Sequence, residues 1–406
     1  MRFFSRYDRR LWALFAVRMI TSAGFAVAMP FVSLYLYEEL GVPMKIVGTI
    51  MLIAALVGSA GRLIGGELTD RIGRKPLIAL AMGLRVAAFL LMAYLVAIRA
   101  PYGLISLVFV AIRFVGALSM PAVSAMVADV VGPRRRVEAF GLLRIGGNAG
   151  WAIGPSVGGV LASLSYAYPF LVTALASLIA LVLVLIFVRE SIGTRESGHF
   201  RIGRVFDAGR DHRFLTFCAL SLALFLVVGQ LVSTFSVFAV SFAGISKVKL
   251  GYLYTLNGLI IVLFQYPATL FVERLGIRWS LVLGSALYTL GYLSVGFAPS
   301  FYLLLLSMAV ITSGEIIFSP TSTATVTEMS PARMRGRYLG FFGLAQAFGW
   351  SAGPFIGGFL LDGFPTSPIS IWGTIASLGF IATVGFLWLA RRSPVSRGES
   401  PDLPQP

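Results

Sequence analysis

The sequence predicts an all-α integral membrane protein, with twelve transmembrane helices arranged as two pseudo-symmetric six-helix bundles. Three observations carry this reading: a run of long apolar segments, basic charge concentrated on alternate connections, and an internal repeat. Hydrophobic residues make up 57% of the 406 positions and charged residues only 12%. Lipid, rather than water, suits such a surface.

A segment of about 20 apolar residues covers a ~30 Å hydrocarbon core as a helix. Six such segments fall at Leu11–Tyr37, Ile46–Leu68, Leu77–Ile98, Tyr102–Ala128, Ala139–Leu164 and Tyr166–Val188. Six more follow at Phe214–Phe242, Leu250–Val272, Trp279–Ala298, Phe301–Val326, Tyr338–Leu361 and Ile369–Ala390. The runs are long and continuously apolar, whereas barrel strands would alternate over about ten residues. The expected organisation is a first bundle over 1–188, a linker over 189–213, a second bundle over 214–392 and a disordered, proline-bearing tail over 393–406. The first span is too long for a signal-peptide core and no small-residue cleavage site follows it, so it is read as part of the mature chain. Cys218 is the sole cysteine, which excludes an intramolecular disulfide and a cysteine-type zinc site.

The net charge of +16 follows topology. If spans alternate in direction, 24 lysines and arginines fall on the side of both chain ends, four (Lys45, Arg99, Lys247, Lys249) on the other, and five within spans. The positive-inside rule then places both termini in the cytoplasm of a multi-pass cell-membrane protein. A nucleic-acid partner is not expected, because no aromatic-basic interleaving or soluble basic fold accompanies the charge. The partners expected are the lipid bilayer and a small-molecule solute, with the chain acting as a monomer. The linker carries six arginines among four acids, a composition suited to lying along an anionic leaflet.

At a constant offset of 199, Gly141–Leu161 aligns with Gly340–Leu360. The match sets Gly-Trp-Ala-Ile-Gly-Pro-Ser-Val-Gly-Gly-Val-Leu at 150–161 against Gly-Trp-Ser-Ala-Gly-Pro-Phe-Ile-Gly-Gly-Phe-Leu at 349–360. Pro121 and Asp129 pair with Pro320 and Glu328 at the same offset. Parallel repeats of six helices are one transporter architecture, with the solute site between the halves near the midplane.

Four motifs resemble those of the major facilitator superfamily. They are the loop Gly66-Glu-Leu-Thr-Asp70-Arg71-Ile-Gly73-Arg74-Lys75, Arg113-Phe-Val-Gly116 in the fourth span, Gly150-Trp-Ala-Ile-Gly154-Pro155-Ser-Val-Gly158-Gly159 in the fifth, and Gly24-Phe-Ala-Val-Ala-Met-Pro30 in the first. The fifth-span motif is similar to the one associated with the superfamily's antiporters, and the first-span motif to that of twelve-helix drug:proton antiporters. The resemblance implies the major facilitator fold, a proton gradient as the energy source and no bound cofactor. It also implies a charge cluster of Asp70 and Arg71 with Asp129 that latches the halves at the cytoplasmic side. The plainer reading of that loop is a solvated turn, in which Gly66 and Gly73 give flexibility and Arg71, Arg74 and Lys75 meet the leaflet surface. The second-half loop, Glu273-Arg-Leu-Gly-Ile-Arg278, is a degraded copy.

Gly150, Gly154 and Gly158, and their counterparts Gly349, Gly353 and Gly357, recur every four residues and so share one helix face, while Pro155 and Pro354 bend the helices. Both faces are read as symmetric contacts between the halves, with ordinary small-residue packing as the alternative.

Charges within spans are the sharpest functional signal, because an unpaired one costs several kcal/mol on most scales. Arg62, Arg85 and Arg144 are read as snorkelling to the nearby surface. Arg113 stands eleven residues into its span, ~16 Å deep, and needs a partner or water. Glu315, fourteen residues or ~21 Å into the tenth span, is the only acid well inside any span. Helical spacing groups Thr312, Glu315, Ser319 and Ser322; it does the same for Gln230, Thr234 and Ser241, and for Arg18, Ser22 and Ser33. In the family resembled, the first, fourth, seventh and tenth helices line the cavity. That brings Arg18, Ser22, Arg113, Gln230, Thr234, Thr312, Glu315 and Ser319 toward one space, with Asn257, Tyr254 and Gln265 of the eighth span as additions. Two arginines against one acid give this space a slight positive bias. Phe225, Phe235, Phe238 and Phe242 could face a ligand but are read as packing against lipid or neighbouring helices.

An Arg113–Glu315 contact that alternates between conformations would let Glu315 take up and release a proton; a permanent salt bridge is the other reading. The expected function is a secondary active transporter, a proton-coupled efflux antiporter for a small amphipathic or anionic solute or drug. A symporter or facilitator for a metabolite or sugar is the alternative, and a sensor or lipid scramblase a further one. No phosphate loop is present for ATP-driven transport. The two histidines, His199 and His212, lack metal-ligand spacing, and no enzymatic constellation is expected.

Overall fold

The computed structural model describes residues 8–132, 135–191, 209–331 and 334–392. The N-terminal arm, most of the linker, the tail, Arg134 and Arg333 lie outside the described residues, as does the side chain of Asp70. No strand occurs among those described. In the first half, α1 (Arg9–Leu34) runs on into a π-helical turn, Tyr35–Glu39; then come α2 (Met44–Ile72), α3 (Arg74–Ala97), α4 (Tyr102–Val130), α5 (Arg136–Leu164) and α6 (Ala167–Phe187). In the second, α7 (His212–Val228) breaks and resumes as α8 (Thr234–Val237) and a π-helical turn, Phe238–Phe242. It is followed by α9 (Lys247–Leu275), α10 (Ile277–Val295), α11 (Phe301–Met329), α12 (Arg335–Gly363) and α13 (Pro368–Arg392).

Eight of these helices are both long and apolar enough to cross a membrane, and His212–Val228 is a shorter apolar helix. The others are diluted by glycine and arginine yet run packed among the eight. Large apolar side chains point outward all round, among them Leu107 at 65% exposure, Tyr266 at 73% and Tyr302 at 79%, a surface that water would not tolerate.

Packing follows the repeat. Within the first half α5 lies on α1, α4 on α2, and α6 on α3; within the second, α12 lies on α7, α11 on α9, and α13 on α10. Between the halves, α5 packs on α9 and α2 on α12, related positions in the two repeats. Two of the turns at the face carrying both chain ends, here the terminal face, are each a single glycine: Gly73 (φ 98°) between α2 and α3, and Gly276 (φ 84°) between α9 and α10. Only glycine adopts this conformation without strain, so both helix pairs reverse without a longer loop. Gly66 instead lies inside α2 and is no part of the turn.

The break in α7 is held by Gln230. Its Nε2 donates to the carbonyl of Gly353 on α12 (2.8 Å) and to that of Leu226 (3.0 Å), and its Oε1 accepts from the Thr234 hydroxyl (2.6 Å). A fully buried amide thus replaces bonds that the interrupted helix leaves unmade.

The spaced glycines serve packing within each half, which corrects their assignment to the contact between halves. A Cβ at Gly150 would lie 2.5 Å from the Ala23 nitrogen, and one at Gly154 2.6 Å from Ala26 Cβ; Gly158 faces Val27 and Phe31 in the same way, all on α1. Gly349, Gly353 and Gly357 meet Phe225, Leu226 with Gly229, and Gln230 with Thr234 on the α7–α8 segment. The inter-half contact belongs to the neighbouring face: Ala152 meets Gly258, Pro155 meets Gly251, and Gly159 meets Lys247. On the other side, Pro354 meets Gly48 and Gly358 meets Met44. One step along a helix turns the side chain by about 100°, enough to change partners.

Gly158→Leu is expected to force α5 off α1 and to cost at least about 1–3 kcal/mol, whereas Gly66→Ala, with open space around it, changes little. Thermal denaturation of the purified variants checks this; equal melting temperatures would refute the packing role of Gly158.

Candidate functional site

Beneath the contact between halves lies a cavity of about 310 Å³, lined from both sides. The first half contributes Phe25 and Met29 of α1, Phe109 and Arg113 of α4, and Asn148 and Trp151 of α5. The second contributes Asn257 and Ile261 of α9, Glu315 of α11, and Trp350 and Ser351 of α12. Trp151 and Trp350 are repeat equivalents, so each half presents the same indole to the shared space. Phe25 packs edge-to-face on Trp151 at 6.2 Å between ring centroids, and the Arg113 guanidinium lies 5.6 Å from the Phe25 ring centre. That cation–π contact offsets part of the cost of burying Arg113.

Glu315 is held differently. Asn257 Nδ2 donates to its Oε2 (3.1 Å) and also to Thr312 Oγ1 (2.9 Å), so one amide bridges two residues a turn apart on α11. Thr312 donates in turn to the Met308 carbonyl (2.7 Å) and is buried behind Asn257. Among the described residues Arg113 and Glu315 form no salt bridge with each other; they line opposite walls of one cavity. A permanent Arg113–Glu315 bridge is therefore absent from this conformation.

Several residues grouped by sequence sit elsewhere. Arg18 Nη1 reaches only the Met120 sulfur (3.8 Å), and Ser22 donates to the Gly147 carbonyl (2.8 Å), so both lie in the contact of α1 with α4 and α5. Gln230 and Thr234 brace the broken α7. Tyr254 donates to the Leu231 carbonyl (2.5 Å), and Gln265 to that of Ile316 (3.1 Å). Ser319 is half-buried and does not line the cavity; its carbonyl accepts from Ser322 (3.0 Å). With Arg18 elsewhere, the cavity holds one guanidinium and one carboxylate, and the expected positive bias does not arise. Phe225 packs on Phe318 and Phe342, Phe235 and Phe238 on Trp372, and Phe242 on Tyr37, each among neighbouring helices. Sequence reasoning missed Phe25, Trp151 and Trp350. The repeat pairs the two tryptophans beside the glycine motif, which was the available signal.

Among the described side chains, the contacts of Arg74, Lys75 and Asp129 in the loop cluster lie within the first half, and the Asp70 side chain lies outside the described residues. Arg74 pairs with Asp129, and Ser191 donates to the same carboxylate (2.6 Å). The backbone N–H groups of Arg74 and Lys75 donate to the Glu190 carboxylate (3.3 and 3.0 Å), and Lys75 Nζ to the Leu185 carbonyl (2.9 Å). Arg71 pairs with Glu67 on its own helix. These contacts tie the start of α3 to the ends of α4 and α6.

The face opposite the terminal one is sealed by polar contacts between halves. The Asp362 carboxylate at the end of α12 accepts from the N–H groups of Met44 and Lys45 (2.9 and 2.8 Å), capping α2 across the interface. Glu38 accepts from Tyr166 (2.7 Å) and from Ser241 (3.1 Å), and lies 3.6 Å from Lys247 Nζ, which itself sits 4.0 Å from the Tyr166 ring centre.

The chain belongs to the major facilitator superfamily, whose family model, described as Major Facilitator Superfamily, matches residues 14–260 and 214–405. It is 30% identical over 380 residues to the multidrug resistance protein MdtH of Aeromonas hydrophila subsp. hydrophila, covering 90% of this chain and 93% of that protein. It is 28% identical over 363 residues to the MFS-type transporter YttB of Bacillus subtilis (strain 168), covering 87% and 89%. The crystal structure of nucleoside transporter NupG superposes with a TM-score of 0.80 at 15% identity over 95% of this chain and 100% of that one, a likeness of fold. The protein is thus a multi-pass membrane transporter of that superfamily.

Asp362→Ala is expected to remove a cap worth about 1 kcal/mol and to open the seal about five-fold more often. Ala239→Cys, at a position 0% exposed in the π-helical turn next to the seal, in a Cys218→Ala background would then react correspondingly faster with a membrane-impermeant maleimide; an unchanged rate would dissociate the cap from closure.

Proposed function

We propose that the protein is a proton-coupled efflux antiporter for small amphipathic solutes, working by alternating access between its two halves. The observation that carries this reading is Glu315. It is the only acid well inside a span, it lines the cavity between the halves, and it is held by the neutral amide of Asn257 rather than by an arginine. A carboxyl so placed accepts a proton without losing an ion pair, and Arg113 on the facing wall favours release when the halves rearrange. Proton exchange and solute binding then compete for one space. The aromatic surface of Phe25, Trp151 and Trp350 suits the apolar part of an amphipathic solute. The similarity to MdtH, whose name records multidrug resistance, supports export as the direction. With one guanidinium and one carboxylate in the cavity, neutral and zwitterionic solutes fit at least as well as anions.

The test is reconstitution in liposomes with an imposed pH gradient and a panel of amphipathic substrates. The wild type should accumulate substrate against the proton flow, whereas Glu315→Gln should lose gradient-driven accumulation by at least about ten-fold while keeping solute counterflow. Undiminished gradient-driven transport by Glu315→Gln would remove the coupling role. Accumulation along the proton flow would replace antiport by symport.

A further inference from the structure

The first half buries arginines without acids. Arg85 on α3 is 8% exposed, which corrects the expectation that it snorkels to the surface. Its Nε and Nη2 are buried with no hydrogen-bond partner, and its guanidinium lies over the ring of Phe89 at 5.7 Å. Arg18 and Arg113 are near enough to act on it electrostatically, and both carry the same sign. The acids of α1–α6 and its π-helical turn (Glu38, Glu39, Glu67, Asp70, Asp129, Glu138) all stand at the ends of spans. A buried guanidinium with idle donors and like-charged neighbours is unfavourable by several kcal/mol unless an anion joins it.

The repeat shows where such an anion would sit. At the offset of 199, Glu315 of α11 corresponds to Gly116 of α4, one turn from Arg113 on the same face. The turn glycines Gly73 and Gly276 align α3 with α10 and set Arg85 against Tyr288, the side chain on which Glu315 acts electrostatically. So at the place where the second half carries a carboxylate, the first has a glycine beside an arginine. Among the described residues outside its own helix, Arg85 Nη1 alone comes within 4.0 Å of the position of a Gly116 Cβ. Arg113, one turn away on the same helix, lines the cavity.

We propose that Arg85 and Arg113 bind a compact monoanion, either a halide or the carboxylate head of a solute, in the gap that Gly116 leaves on α4. The anion occupies the place that Glu315 fills in the other repeat. The two halves thereby present related negative groups, one covalent and one exchangeable, to the same cavity. The site stands apart from proton coupling, because its occupancy is measured at fixed pH without a membrane gradient.

The test is the melting temperature of the full-length protein in detergent at constant pH and ionic strength. Sodium isethionate, a sulfonate without a carboxylate, serves as background, with replacement by sodium chloride or sodium benzoate. The wild type should melt about 2–4 °C higher with a bound anion. A rise in chloride assigns the site to a halide, and a rise in benzoate alone assigns it to a solute carboxylate. Arg85→Gln should abolish the rise. Gly116→Asp, for which the gap has room, should supply the charge internally: it should melt higher than wild type in isethionate and respond to neither anion. A wild type indifferent to all three salts would overturn the proposal, as would Gly116→Asp keeping the full wild-type response.

Discussion

The structure depends on how closely α5 and α12 approach the helices they rest on. Three glycines in each bring backbone against backbone, α5 onto α1 and α12 onto the broken α7. In an apolar solvent there is no hydrophobic drive to pair helices, so packing of this closeness supplies much of the attraction. With the glycine face turned inward, the next face is committed as well. It carries Pro155 and Gly159 to α9, Pro354 and Gly358 to α2, and Trp151 and Trp350 to the cavity. One interaction therefore sets the integrity of each half, the contact between halves and the walls of the solute space.

The polar groups are arranged around that frame with different consequences for motion. Contacts buried inside a half, such as Gln230 with Gly353 or Ser22 with Gly147, stay intact when the halves move as bodies. Those between halves, Asp362 on the α2 N-terminus and Glu38 with Ser241 and Lys247, sit at the rim where water can replace them. A seal made of exposed polar contacts opens at modest cost, whereas one made of buried charge would not. Alternating access needs that asymmetry.

Charge inside the membrane divides the halves despite their shared ancestry of pattern. The second half satisfies Glu315 with the amide of Asn257, which Thr312 also accepts from, whereas the first carries Arg85 and Arg113 with little besides aromatic rings to receive them. The repeat is thus nearly exact in backbone packing and broken in electrostatics. The break falls at the level of the cavity, where a transporter can use it.

The sequence by itself determined the membrane class, the succession of spans, the repeat and the depth of Arg113 and Glu315, because hydropathy, periodicity and offset are properties of the linear chain. It also marked Asn257 as a neighbour of the cavity. Tertiary structure decided which face of each helix meets which partner. Arg18, Ser22, Gln230 and Thr234 obey cavity-like spacing yet brace helix contacts, and the glycine motif faces its own half. Spacing gives the faces of a helix but not their rotation, and a turn of about 100° moves a residue from an interface to a core. The loop cluster followed the same rule: its charges are plain in the sequence, but only the tertiary structure sets Arg74 against Asp129 and the Glu190 carboxylate against the start of α3.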